Sequence, residues 1–186
     1  MTAGADTHDT IHIAPAAHSH ISDLEALIVR SARRLSAGFY DDRQIEAAIT
    51  HVFGVDTDLV DDGTYLVARD GEGRIVGAGG WSRQRTLFGG DRFAARTPGF
   101  LDPAVDAAKI RAFFVDPDAA RAGIGARLLA ACEGAAAAAG FRRTELMATL
   151  PGVPFYRRHG YRGGEEVTLT LGDVPVPFLP MSKDLA

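Results

Sequence analysis

The 186-residue chain has a single cysteine, Cys132, no asparagine, and only two lysines, Lys109 and Lys183. A lone cysteine cannot close an intramolecular disulfide, so nothing in the composition points to an oxidising compartment. Scarce lysine beside abundant arginine reads as a coding bias rather than a physical device. A cationic excess is missing as well: 20 Lys and Arg against 24 Asp and Glu leave a formal net charge of -4. That balance argues against a nucleic-acid surface held by phosphate contacts. No uncharged apolar run approaches the roughly 20 residues that span a bilayer. Residues 1–10 carry Asp6 and Asp9 but no Lys or Arg, unlike the basic end of a secretory leader. The expectation is a cytoplasmic protein with a flexible segment at 1–10 and neither a nucleic-acid nor a membrane partner.

What is present fits one globular domain over 11–186. The length suits a single domain of roughly 100 to 200 residues, and 46% hydrophobic with 24% charged residues is ordinary for a packed core. The 21 glycines are the feature that needs placing. Scattered glycines mark turns, whereas glycines bunched at a helix entrance mark a site.

Residues 11–14 alternate as a short strand. Leu24, Leu27, Ile28 and Leu35 then recur at helical spacing, with Ser22 or Asp23 as caps. Gly38 ends that helix, and Asp41 or Asp42 can cap a second one with Ile45, Ala48, Ile49, Val52 and Phe53 as its apolar stripe. Residues 64–69 and 74–81 predict a hairpin around Asp70, Gly71, Glu72 and Gly73, with both glycines expected at positive φ. Residues 83–107 follow neither period and predict an irregular excursion. Beyond it come a strand at 110–115, a helix at 124–139 ended by Gly140, and a strand at 144–150, the pattern of a parallel pair with a right-handed crossover. A short helix at 153–159 precedes two closing strands at 166–171 and 176–181, the last weakened by Pro177 and Pro180. The fold class is α/β, a mixed sheet with helices on its faces.

Between the strand at 110–115 and the next helix, Gly123 and Gly125 let the backbone approach a ligand while the helix offers free amides and its positive dipole end. This is a phosphate-site arrangement, and Arg121 can add a charge-assisted contact. A nucleotide-binding Walker loop is excluded by the lack of lysine there. A dinucleotide fingerprint would want a third glycine where Leu128 stands, and it fails because the strand-to-helix connection is too long for the tight first turn and too few elements follow for the remaining parallel strands.

Three segments in order, Ile110 to Pro117, Arg121 to Ala126 and Pro154 to Tyr161, resemble the successive core motifs of the GCN5-related N-acetyltransferases, over most of the chain from about Ile11 onward. The resemblance implies a central mixed sheet of about 6–7 strands with about 4 helices and a V-shaped opening between the two central parallel strands. It also implies an acetyl-CoA-dependent acyltransferase, an N-acetyltransferase moving an acetyl group to a primary amine of a small molecule or peptide by direct attack in a ternary complex, with no metal. By the same resemblance the pyrophosphate would be held at Arg121, Ala122, Gly123, Ile124, Gly125 and Ala126, and the pantetheine arm along Phe113, Phe114 and Val115. One departure is Ala120, where the family usually carries Gln or Arg.

Tyr156 stands where the family places its general acid, and a neutral phenol can give the departing thiolate a proton. The base stays open between a water relay, Glu145 and His159. Cys132, on the apolar face of a long helix, reads as an inert core residue, and His18 with His20 lack a third metal ligand. For the acceptor, Phe39, Tyr40 and Asp41 with Asp42, and Asp91, Asp102 and Asp106 in the excursion, would suit a cationic amine by ion pairing and cation-π contact. The absence of a carboxylate on the strand at 109–115 leaves a second reading, a non-catalytic acyl-CoA binding or sensing module. Edge strands near the C-terminus could pair two copies as a homodimer.

Overall fold

A computed structural model describes residues 11–185; the flexible segment expected at 1–10 lies outside the described residues. One eight-stranded sheet organises the fold. Its strands are β1 (His12–Pro15), β2 (Tyr65–Arg69), β3 (Ile75–Ser82), β4 (Ala108–Val115), β5 (Arg143–Thr149), β6 (Arg162–Gly163), β7 (Val167–Leu171) and β8 (Val174–Asp184). The order is β1-β2-β3-β4-β5-β8-β6, with β7 also on β8, and among the strands of the described residues only β4 and β5 pair in parallel. Five helices accompany it: α1 (Ile21–Leu35), α2 (Asp42–His51), α3 (Thr57–Asp61), α4 (Ile124–Ala138) and α5 (Val153–Arg158). The mixed sheet and its single parallel pair match the expected class. The counts exceed the expected ones because β6 and α3 are too short to show a period in sequence.

Alternation along β2 shows how the sheet divides the interior. Tyr65 and Val67 enter a core with Leu24, Leu27 and Ile28 of α1 and Ile45, Ala48 and Ile49 of α2, whereas Ala68 meets Ile124 and Leu128 of α4. A further cluster joins Leu129, Cys132 and Ala136 of α4 to Leu146, Tyr156 and Tyr161. The helices therefore cover both faces of the sheet, as a mixed sheet requires.

Several local expectations change. Neither Ser22 nor Asp23 caps α1, because a 3-10 turn at His18–His20 runs straight into the helix and puts His20 at the cap position. Asp41, not Asp42, caps α2: its side chain accepts from the Gln44 amide at 2.8 Å, while Gln44 Oε1 accepts from the Asp41 amide at 3.1 Å. In the hairpin turn only Gly73 has positive φ, and the Asp70 carboxylate accepts the Glu72 and Arg74 amides. The prolines do not weaken β8, which runs 11 residues through Pro175, Pro177 and Pro180. It pairs β7 over its first half and β5 over its second, and the proline carbonyls still accept bonds, Pro180 from the Gly164 amide at 2.8 Å and Pro177 from the Tyr40 hydroxyl at 2.6 Å.

Candidate active site

β4 and β5 stay together for only two residue pairs, Ala108 with Thr144 and Lys109 with Glu145. Beyond them the strands part, and a cavity of about 860 Å³ opens between residues 110–115 of β4 and Leu146, Met147 and Thr149 of β5. A bulge in β4 starts the separation. Ala78 faces Phe114 and Gly80 faces Arg111, so Ala112 and Phe113 share the space opposite Gly79. Ala112 takes φ 54, a left-handed value that an alanine adopts only under constraint. Gly79 is what makes room: a Cβ there would sit 2.5 Å from the Phe113 ring. The Ala112 carbonyl, turned by the bulge, accepts a 3.2 Å bond from the buried Tyr65 hydroxyl.

The connection from β4 to α4 closes one end of the cavity. Asp116 caps a 3-10 turn at Pro117–Ala119, and Arg30 and Arg34 of α1 reach Asp116 and Asp118 at 2.7 Å each. Those largely exposed pairs contribute little energy, about 0–1 kcal/mol apiece, but they fix where the loop sits. Arg121 at φ 68 and Gly123 at φ 77 then turn the chain into α4, and no side chain caps the helix. The amides of Ile124, Gly125 and Ala126 have no intrahelical acceptor and stand at the cavity, which Arg121 and Gly123 also line. Gly125 is packed closely: an added Cβ would lie 3.3 Å from the Phe155 ring.

Tyr156 lies on α5 beneath this loop. Its ring is 9% exposed, edge-on to Phe155 at 5.1 Å and to Tyr161 at 5.6 Å, and it lines the cavity. Burial pushes the phenol above its ordinary range, with the neighbouring Cys132 adding in the same direction. The neutral form is therefore held well beyond physiological pH. His159 also lines the cavity, and its Nδ1 lies 2.9 Å from the Phe155 carbonyl. A carbonyl can only accept, so Nδ1 carries the proton and Nε2 is left with a free lone pair in the neutral ring. Glu145 sits elsewhere, paired with Lys109 and outside the cavity wall. The Cys132 thiol is buried and raised by that burial, with its Sγ 3.7 Å from the Gly79 carbonyl.

The opposite end of the cavity comes from α1 and the turn after it, residues 52–54, the excursion and β8. Phe39 reaches it from the α1–α2 turn and is 51% exposed. Tyr40 does not reach it: its buried hydroxyl donates to Pro177 O and accepts the Leu150 amide at 2.9 Å, and burial raises it to about 12. Asp41 is spent on the α2 cap. Asp91 accepts the Thr57 amide, and Asp102 and Asp106 shape their own turn, so none of these carboxylates lines the cavity. The excursion at 83–107 forms no helix or strand, only a bridge between Gln84 and Phe100. It supplies Phe88, Gly89 and Gly90 to the wall, with the Gly90 amide on Val52 O at 2.9 Å. A Cβ on Gly90 would strike the Gly54 carbonyl at 2.5 Å.

Sequence reasoning missed what holds this wall. Arg111 and Asp56 are fully buried against one another; Arg111 also donates to Gly89 O at 2.8 Å, and Arg96 bridges Asp56 at 3.2 Å and Asp58 at 2.5 Å. Desolvation lowers Arg111 and raises Asp56, each opposed by the charge of the other. The available signal was a charge within the apolar run of residues 110–115, since a buried arginine demands a partner.

This architecture, a mixed sheet split at its one parallel pair above a glycine-bearing helix entrance, is that of the GCN5-related acetyltransferase fold. A family described as Acetyltransferase (GNAT) domain matches residues 61–163, and the chain belongs to that family. A curated relative, the uncharacterized N-acetyltransferase YjcF of Bacillus subtilis (strain 168), is 28% identical over 163 residues, covering 87% of this chain and 100% of the relative. Among solved structures, a GCN5-related N-acetyltransferase from Rhodopseudomonas palustris superposes with a TM-score of 0.71 at 19% identity, over 98% of this chain and 100% of that one. The PaiA N-acetyltransferase of Thermoplasma acidophilum, solved in complex with coenzyme A, gives 0.64 at 16% identity over 94% and 99%.

Proposed function

We propose that this chain is an acetyl-CoA-dependent N-acetyltransferase moving an acetyl group to a primary amine of a small molecule or peptide by direct attack in a ternary complex. The observation that carries the reading is the cavity itself. It opens where β4 leaves β5, so one edge of β4 faces it without a partner strand, and it ends at the uncapped amides of α4.

An extended pantetheine arm would pair with that edge at Phe113, Phe114 and Val115 as an added strand does. Its pyrophosphate would meet the run from Arg121 through Ala122, Gly123, Ile124 and Gly125 to Ala126, where helix dipole and free amides favour an anion. Because main-chain amides do most of this, Ala120 is a tolerable departure from the family pattern. That a protein of the same fold, the Thermoplasma PaiA N-acetyltransferase, was solved in complex with coenzyme A is in keeping with this reading. The amine lone pair then attacks the thioester carbonyl, and the C–S bond breaks as Tyr156 gives its proton to the departing sulfur. The proton released from nitrogen goes to water or to Nε2 of His159, which lines the cavity where Glu145 does not. No helix among the described residues is long and apolar enough to cross a membrane, which fits a cytoplasmic enzyme.

A second reading, a non-catalytic acyl-CoA binding or sensing module, draws on the lack of any carboxylate among the described residues lining the cavity. One pair of measurements separates them. Acetyl-CoA should raise the melting temperature, and an amine panel should give amine-dependent thiol release. Stabilisation without thiol release from any amine would favour the binding module; no stabilisation would remove both.

A further inference from the structure

The end of the cavity formed by α1 and the turn after it, residues 52–54, the excursion and β8 has little to offer a cation. Phe39, Phe53, Phe88 and Phe178 line it together with Leu35 and Met147. Aspartate and glutamate are missing from the whole cavity wall among the described residues, and its charged side chains are Arg111, Arg121 and Arg158. Carboxylates near this end are committed elsewhere: Asp56 to Arg111 and Arg96, and Glu25 to Arg92 and the Val55 amide.

An alkylamine arrives as an ammonium, neutral in only about one molecule in a thousand at pH 7. To react it must shed its hydration and its proton in a chamber whose described wall offers it no anionic partner. Cation-π attraction to phenylalanine is weaker than the desolvation it would have to offset. An amine whose nitrogen is conjugated to an aromatic ring has neither difficulty. It enters uncharged with its lone pair available, and its ring can pack edge-to-face among the phenylalanines.

We infer that the acceptor is an aromatic amine, weakly basic and uncharged at neutral pH, with its ring seated among Phe39, Phe53, Phe88 and Phe178. The inference rests on the acetyltransferase reading above and narrows its substrate. The balance is simple: the nitrogen lone pair forms the N–C bond, the C–S bond breaks, and sulfur takes the Tyr156 proton. The nitrogen loses its proton only after attack, when it has become strongly acidic, so water or Nε2 of His159 suffices and no carboxylate is needed beforehand.

The test is thiol release by the full chain at saturating acetyl-CoA with ring-substituted anilines, phenethylamine, spermidine and a lysine-containing peptide. Anilines should exceed every alkylamine in kcat/KM at pH 7 by at least about tenfold, and that advantage should narrow as the pH rises, because only the alkylamines change protonation between about pH 6 and 9. Phe39→Asp, at a half-exposed rim position where folding is not at risk, should lower the aniline rate and move the preference toward phenethylamine. Equal or faster turnover of any alkylamine at pH 7, or an unchanged preference in Phe39→Asp, would overturn the inference and leave the acetyltransferase reading standing. Silence with every amine and no thermal stabilisation by acetyl-CoA would instead remove that reading, and the inference with it.

Discussion

At the α4 end of the cavity the wall is mostly backbone: the edge of β4 past its bulge, the left-handed turn at Arg121 and Gly123, and the first amides of α4. At the α1–α2 end it is mostly side chain, contributed by segments from Ser31 to Phe178 that meet only in the folded chain. The first end tolerates sequence change so long as glycines and strand geometry persist; the second is rewritten by any exchange of a phenylalanine. One fold can thereby keep a constant cofactor and vary its acceptor.

The largest effect is expected where the two ends meet. Tyr156→Phe should lower kcat by about 10²–10⁴ while thermal stabilisation by acetyl-CoA is retained, because the ring packing survives and only the proton is lost. Full turnover in this variant would end the general-acid assignment. Its pH behaviour carries a second check. Burial raises Tyr156, Tyr65 and Tyr161 above the ordinary phenol range and Tyr40 to about 12. A raised folded pKa gives stability that is whole below about pH 10 and fades above it, since the unfolded chain releases its protons first. Tyrosinate absorbance should therefore stay low past pH 10 and rise together with unfolding. Early titration of any tyrosine in the native protein would contradict its burial.

Next in size is Asp56→Asn, which strands Arg111 without its counter-charge at a fully buried position. The loss should be about 3–5 kcal/mol, read as a lower denaturant midpoint. The Gly89–Gly90 wall held through Arg111 should loosen with it, raising the acceptor KM more than that of acetyl-CoA. Equal shifts in both would mean that the cluster supports the whole fold rather than one end of the cavity.

Gly125→Val disturbs only the other end, crowding the Phe155 ring and the pyrophosphate approach. A ligand at a hundred times its Kd stabilises by about 2.7 kcal/mol, and that increment should be largely missing in the variant. An unaltered melting shift would place the anion elsewhere.

The sequence was readable where meaning is local. The crossover from β4 through α4 to β5 and the glycine pair at its helix entrance each sit within one short segment, so period and spacing brought them out, whereas Tyr156 was singled out by the family resemblance of the segment from Pro154 to Tyr161. The acceptor end was not readable, because Phe88 sits in a segment with no period and Phe178 between prolines of an unusual strand. Arg111 looked like one polar residue in a strand until Asp56 came into contact with it. Carboxylates carried two readings for the same reason: a cap, a turn and a ligand contact use the same residue type, and only the partner distinguishes them.

Asp41 shows how that ambiguity can be settled, with the smallest effect of the series. Lying beside Phe39 and Tyr40, it suits an ion pair with a cationic acceptor, whereas the structure engages it in a reciprocal cap with Gln44. As a cap it stabilises α2 by about 1 kcal/mol, so Asp41→Ala should lower the denaturant midpoint slightly and leave the acceptor KM nearly unchanged. Asp41→Ser, which can still cap, should recover most of the stability. If Asp41 instead held an ammonium, both variants would raise the acceptor KM together, and serine would rescue nothing. A stability loss rescued by serine with a steady KM leaves the phenylalanine-lined end without a carboxylate of its own, which is the property that sets it apart from the amide-lined end.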